Sequence, residues 1–415
     1  MKKNLKTVAK LLGGIVLLLV LVIGGYFLLR PKPPQPPESI TNLAEAEAYL
    51  EELVEFGTPP GISLVVVKDG NIVYSKGFGL ADGPNNIPAK PETVYRFWSV
   101  TKIMTAISIL QLHEQNLLDI ETPVADYLPF FDVIYPEDSD LPIITIRHLL
   151  NHSSGVADPM PDIMGWMHTE AENEPRFDDV AFLESVFPNF AELIFEPGDH
   201  SEYSNLGYMF LGAIIEEVTG QTYEEYVVEN IFQPLGMNQT NFIYTDEMLL
   251  NAAVGSHPQI SIEMALIPML YDDFSIFIRE KTGGKVWFHR IYPHNDAPTG
   301  MISTTADLSR FMLAYLNDGE LDGVRILSPE TIETMTYDSH VTGVDNRNVY
   351  HPFFGIGWGI EPIEEGFYLD HGGGGPGFGT EIRIYPEESL GLAVVANDTT
   401  YNPELILDLF ASLDW

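Results

Sequence analysis

Cysteine is absent from the 415-residue chain, which excludes disulfides, thiolate catalysis, cysteine-ligated metal and a lipid-modified cysteine. Positive charge is scarce, with 21 Lys and Arg against 60 Asp and Glu. The shortage is uneven. Residues 1–32 hold six of the 21 (Lys2, Lys3, Lys6, Lys10, Arg30, Lys32) and no acidic residue, leaving 15 against 60 in the rest, a balance of −45. Such a surface repels nucleic acid and anionic headgroups, so no nucleic-acid partner is expected. Gly-x-Ser-x-Gly is missing, which disfavours an α/β-hydrolase. His113-Glu114 lacks the second histidine of a His-Glu-x-x-His site, and no compact His/Asp/Glu cluster appears, so no metal and no cofactor is expected. Gly372 to Gly377 does satisfy Gly-x-Gly-x-x-Gly, but strand residues follow where a dinucleotide site needs a helix.

What is present begins with an apolar run. Leu11 to Leu29 is 19 uncharged residues, about 28 Å as a helix and close to the bilayer hydrocarbon thickness. Four lysines precede it, which by the positive-inside rule places the N-terminus in the cytoplasm. A cleaved signal peptide is the rival reading. The run is long for one, and Tyr26-Phe-Leu-Leu-Arg30 offers no small-residue cleavage site. Pro31 to Pro37 then reads as a stiff spacer of roughly 20 Å. The expected organisation is a cytoplasmic segment 1–10, a transmembrane signal anchor 11–29, a proline-rich linker 30–41 and one large extracytoplasmic domain 42–415. That puts the protein in the cell membrane with a single span.

Ser99-Val-Thr-Lys102 is the most informative stretch. Ile103, Ala106, Ile107 and Leu110 follow at helical spacing, with no Gly or Pro through Glu114. Lys102 therefore lies one turn beyond Ser99, on the same face. The unpaired N–H groups of a helix start favour an anionic serine oxygen and disfavour a charged lysine. Alone, the pattern fits an N-cap serine with a solvated lysine better. Two later stretches change that. Tyr203-Ser204-Asn205 leads into the apolar run Leu206 to Gly212, and His371-Gly372-Gly373 precedes strand-like Gly379 to Tyr385 and Gly391 to Ala396.

Ser-x-x-Lys, Tyr-x-Asn and His-x-Gly in that order resemble the serine β-lactamase and penicillin-binding family. The similarity is greatest to its class C-like branch, with D-aminopeptidases, D-alanyl-D-alanine carboxypeptidases and family VIII esterases. Val66 to Tyr74, Arg96-Phe-Trp-Ser99, Ile146 to Gly155 and Met301 to Met312 look like that family too, so the resemblance runs from about Leu43 to the C-terminus. It implies catalytic roles for Ser99, Lys102 and Tyr203, with Ser99 as nucleophile and either Lys102 or Tyr203 as base. It implies substrate binding by Asn205, His371 and Gly373, and an oxyanion hole from the backbone N–H groups of Ser99 and Gly374. Lys281-Thr-Gly283 also matches the family's usual third motif. However, it precedes the Met301–Met312 segment and reads as an exposed turn, so His371 is preferred. Histidine there departs from the carboxylate-binding lysine and weakens the β-lactamase and carboxypeptidase readings. His152, with Ser153 and Ser154, is expected to stabilise a turn under the site.

The fold expected is α+β. Leu43 to Phe56 reads as a helix, Ser63–Lys68 and Asn71–Ser75 as a hairpin about Asp69-Gly70, and Pro403 to Leu413 as a last helix. Strands at both ends of the chain suggest one antiparallel sheet flanked by helices. The middle, roughly 125–300, is then a mainly helical region facing it across a cleft. Residues 245–298 are the least family-like part, either a lid or a packed insertion. The function implied is a serine hydrolase acting through an acyl-enzyme on a small-molecule or peptide substrate: an ester, a D-amino-acid peptide or amide, or a β-lactam. The alternative is an idle penicillin-binding-like fold used as a surface binding or assembly module.

Overall fold

The computed structural model describes residues 32–37, 39–135, 142–169, 178–271, 273–337, 353–364 and 366–415. The chain divides into two units, Met1–Pro36 and Pro37–Trp415. In the first, residues 32–36 are described and are neither helix nor strand. The expected anchor over 11–29 lies outside the described residues, and among those described no helix is long and apolar enough to cross a membrane.

The second unit opens with α1, Leu43–Phe56. Asn42 caps it by accepting from Glu45 N, and Gly57 ends it in the left-handed region at φ 84°. Strands β1 (Gly61–Lys68) and β2 (Asn71–Asp82) follow, joined by Asp69 and Gly70 at φ 49° and 76°. Both values are positive, as a two-residue hairpin requires. After β3 (Ile87–Pro88) come three long helices, α2 (Thr101–Glu114), α3 (Asn205–Thr219) and α4 (Thr305–Leu316). The chain closes with β4 (Phe353–Phe354), β5 (Gly359–Pro362), β6 (Phe367–Gly375), β7 (Phe378–Tyr385), β8 (Leu390–Ala396) and α5 (Pro403–Ala411). These eight strands form one sheet in the order β4-β5-β6-β7-β8-β1-β2-β3, with every pair antiparallel.

Both faces of the central strands are buried, which explains their unbroken apolar runs. Val65, Val67, Ala393 and Val395 enter the core that holds α2, α3 and α4. Ile62, Leu64, Val66, Leu392 and Val394 enter a second core against α1 and α5. Each such Val, Leu or Ile side chain contributes roughly 1.5–3 kcal/mol on burial, so the sheet is a rigid floor for the site above it.

The α+β expectation holds for this unit, with differences at element ends and in the middle of the chain. α5 stops at Ala411, two residues before Leu413. The middle of the chain is not helical throughout. Ser256–Pro258, Lys285–Phe288 and Ile278–Thr282 form a three-stranded antiparallel sheet. Val286, Trp287, Phe288 and Phe277 are buried, so the sheet within the 245–298 stretch is packed, whereas Leu250, Ile262, Leu266 and Met269 outside it are exposed. The sheet's β-branched and aromatic residues bury on both sides of a short strand, where a helix would present only one stripe.

Candidate active site

A single 3-10 turn, Trp98–Val100, carries Ser99 into the start of α2. Trp98 sits at φ 47°, a conformation that costs a non-glycine residue on the order of 1–3 kcal/mol and persists only where the surroundings enforce it. They do so here. Phe97 N donates to Met301 O at 2.9 Å, and Met301 N donates to Thr101 Oγ1 at 3.0 Å. The residue before Ser99 is thus strained while its neighbours are tied to the 296–301 loop.

Lys102 follows one turn later and is fully buried. Its Nζ donates to Ser99 Oγ at 3.4 Å, to Asn205 Oδ1 at 2.7 Å and to Pro298 O at 3.0 Å, and it lies 4.7 Å from the Tyr203 ring centre. Burial pushes its pKa down to about 7, opposed by the charge of Asp158. A substantial fraction is therefore neutral at physiological pH, with a lone pair beside a serine hydroxyl. That pairing can activate an oxygen nucleophile.

Asp158 was not legible as a site residue. The Asn205 side-chain amide donates to its two carboxylate oxygens at 3.3 and 3.2 Å, and Asn205 N donates to Oδ1 at 3.0 Å. Asn205 thus links the lysine to a carboxyl whose own pKa is raised by burial. The one signal was its place just after the Asn151–Gly155 turn.

Tyr203 and Asn205 flank Ser204, which caps α3 by accepting from Gly207 N at 3.0 Å. His152 supports this corner as expected. Its Nδ1 accepts from Ser204 N at 3.1 Å, which puts the ring proton on Nε2, and its ring centre lies 4.6 Å from that of Tyr203.

His371 is buried on β6, with its Nδ1 2.7 Å from Gly372 O and its ring centre 6.1 Å from that of Tyr203. β5 pairs with β6 only as far as Asp370, opposite Gly359, whereas β7 pairs with His371 to Gly375. Among the described residues, one edge of the 371–375 segment therefore has no strand neighbour. The glycines are a steric requirement. A Cβ on Gly373 would lie 2.2 Å from Phe97 O and 3.2 Å from Ser99 N, and one on Gly375 would lie 2.5 Å from the Trp98 ring. The strand rests directly on the Trp98–Val100 turn, while Gly374 faces open space. Lys281-Thr-Gly283, by contrast, lies on an exposed hairpin of the small sheet, not on the sheet that carries His371. Among the described residues no group of His, Asp and Glu is placed to hold a metal ion.

The charge on Asp158 favours the ammonium form of Lys102, so removing it should lower the lysine pKa further. We expect kcat/KM for a p-nitrophenyl ester to rise with pH through an apparent pKa of about 7. In Asp158→Asn that limb moves to lower pH. An unmoved or upward-shifted limb would show that Asp158 does not act on Lys102.

The family model described as Beta-lactamase matches residues 46–413. The chain belongs to the beta-lactamase family. It shares sequence with a staphylococcal protein, Protein flp of Staphylococcus aureus (strain NCTC 8325 / PS 47), at 27% identity over 369 residues. That match covers 87% of this chain and 64% of flp, so this beta-lactamase-family chain spans less than two thirds of its relative's length. The octameric penicillin-binding protein homologue from Pyrococcus abyssi has a similar structure, with a TM-score of 0.67 at 27% identity, covering 90% of this chain and 78% of that one. D-amino acid amidase from Ochrobactrum anthropi SV3 shares the fold, with a TM-score of 0.69 at 22% identity, over 89% and 97% of the two chains.

Proposed function

We propose that this protein is a membrane-anchored, extracytoplasmic serine hydrolase acting by acyl transfer at Ser99. The observation that carries this reading is the fully buried Lys102, depressed to a pKa of about 7, with its Nζ 3.4 Å from Ser99 Oγ. Ser99 Oγ attacks the carbonyl carbon as its proton passes to neutral Lys102. The backbone N–H groups of Ser99 and Gly374 receive the oxyanion, and collapse of the tetrahedral intermediate expels the leaving group, which takes up the proton held by Lys102, directly or through Tyr203. Water then attacks the Ser99 acyl ester, releasing a carboxylic acid and restoring the hydroxyl. Tyr203 stands beside Lys102 as the second proton carrier, and Asn205, His371 and Gly373 line the substrate's path.

The substrate class is an ester, a D-amino-acid peptide or amide, or a β-lactam. His371 in place of a cationic lysine favours substrates whose recognition does not depend on a free carboxylate at that strand. A fluorescent fluorophosphonate and a fluorescent penicillin test acylation. A screen on nitrocefin, short p-nitrophenyl esters and D-alanyl anilides then assigns the leaving group. If neither probe forms a covalent adduct and no substrate turns over, the fold serves as a binding module instead.

Anchoring rests on the 19-residue apolar run, the four lysines before it and the proline-rich spacer after it. Expressed in a bacterium, the protein should stay in the membrane fraction through a carbonate wash. External protease should release an active fragment beginning within or just after residues 31–42. A mature chain starting after residue 25 in untreated cells would replace the anchor with a signal peptide.

A further inference from the structure

Lys102 Nζ has two oxygens at close range, Asn205 Oδ1 at 2.7 Å and Pro298 O at 3.0 Å, and a third, Ser99 Oγ, at 3.4 Å. A neutral amine carries two protons and one lone pair. With both protons given to the closer oxygens, the lone pair is left for the serine hydroxyl, which is the arrangement a base needs. Asn205 is fixed by Asp158. Pro298 belongs to a loop, and its carbonyl needs a hold of its own. Thr105, one turn beyond Lys102 on α2, supplies it. Its Oγ1 donates to Ala297 O at 2.7 Å and lies 2.8 Å from the Tyr223 hydroxyl. The other carbonyl in reach of Oγ1, Thr101 O, is more distant at 3.4 Å. The threonine proton therefore goes to Ala297 O, and Tyr223 is the donor of the hydroxyl pair.

Thr105, Tyr223 and Ala297 are buried, so an unmade bond there would leave polar atoms without a partner. Thr101, a turn earlier on α2, holds the far end of the loop by accepting from Met301 N at 3.0 Å. α3 closes in from the other side, where a Cβ on Gly212 would lie 2.6 Å from Ala297 Cβ. A helix interior gives no reason of its own for a buried threonine, whose β-branch and hydroxyl make it a poorer helix former than alanine or leucine. We infer that Thr105, backed by Tyr223, is a positioning residue for the base. By tying Ala297 O it fixes the next carbonyl, Pro298 O, and so aims the Lys102 lone pair at Ser99. This rests on the reading of Lys102 as the base for Ser99. Asp158 faces Lys102 through Asn205, and the Tyr203 and Tyr208 ring centres lie 4.7 and 5.6 Å from Nζ. All three stay unchanged in the variants that test the role of Thr105.

The rate at which a fluorophosphonate labels Ser99, followed against pH in the full-length protein, needs the base but no particular substrate. In the parent it should rise through a midpoint of about 7. Thr105→Val keeps the shape of the side chain and removes the hydroxyl. Its plateau should fall at least about tenfold. The midpoint should also move to lower pH, because a carbonyl that accepts from Nζ favours the ammonium form and its retreat disfavours it. Thr105→Ser should bring the midpoint back and the plateau to within about threefold of the parent. Gly212→Ala reaches the same loop without touching Thr105, in a helix that alanine otherwise favours, and should lower the plateau at least about threefold. A parent-like profile in Thr105→Val, with only the melting temperature lowered, would make the hydroxyl a structural tie and overturn the inference. So would a lower plateau with an unmoved midpoint, a failure of Thr105→Ser to restore the profile, or a parent-like Gly212→Ala. A parent that is not labelled at all would instead overturn the reading of Ser99 and Lys102 on which the inference stands.

Discussion

Ser99→Ala should remove covalent labelling by a fluorophosphonate or penicillin probe and lower turnover by on the order of a thousandfold or more. The fold should be unaffected, for a reason visible at the lysine. Losing Ser99 Oγ takes away the longest of the three contacts of Lys102 Nζ, at 3.4 Å. Asn205 Oδ1 and Pro298 O remain at 2.7 and 3.0 Å. No buried charge is stranded, and stability should change by less than about 1 kcal/mol. Intact mass before and after the probe, with a melting curve of the variant, reads both parts. Label that survives in Ser99→Ala and maps to another serine would sink the assignment.

Lys102→Arg comes next in size. It keeps the positive charge but substitutes a group that does not deprotonate in a protein. If neutral Lys102 takes the serine proton, kcat should fall at least about a hundredfold, and the remaining activity should lack the pH limb near 7. The profile separates loss of the base from displacement of neighbours by a larger side chain, since misplacement lowers the rate but leaves the limb. Near-normal activity with the limb intact would make Tyr203 the base and Lys102 an electrostatic prop.

The residues of this site differed in legibility according to how far apart the chain holds them. Ser99 with Lys102, and Tyr203 with Asn205, are pairs within one turn or corner, so spacing alone juxtaposes them. Asp158 and Pro298 reach the same cluster only through tertiary structure. Asp158 is 47 residues from the asparagine it binds, and Pro298 is 196 from the lysine that donates to it. No local periodicity records such meetings. Glycine misled in a different way. β2 was expected to stop at Ser75, ahead of Gly77 and Gly79, yet it runs to Asp82. A Cβ at Gly77 would fall 2.4 Å from Ala89 O, and one at Gly79 would fall 2.2 Å from Pro60 O. These glycines permit close backbone approach within a strand and do not end it. At His371 to Gly375 the same property was read as a motif because it followed a histidine in the right order.

The register of the central sheet has a consequence for how the protein is made. Val65 on β1 pairs with Ala393 on β8, so two adjacent inner strands come from opposite ends of the domain. At a synthesis rate of roughly 5–20 residues per second, the first of them waits at least about 15 s for its partner. During that interval the β1–β2 hairpin has an apolar edge with no neighbour, and closing so long a loop is among the slower steps in folding. A product truncated before β8 cannot seat β1, however intact its Ser99 helix. The order of strands therefore withholds a finished floor from any chain cut short.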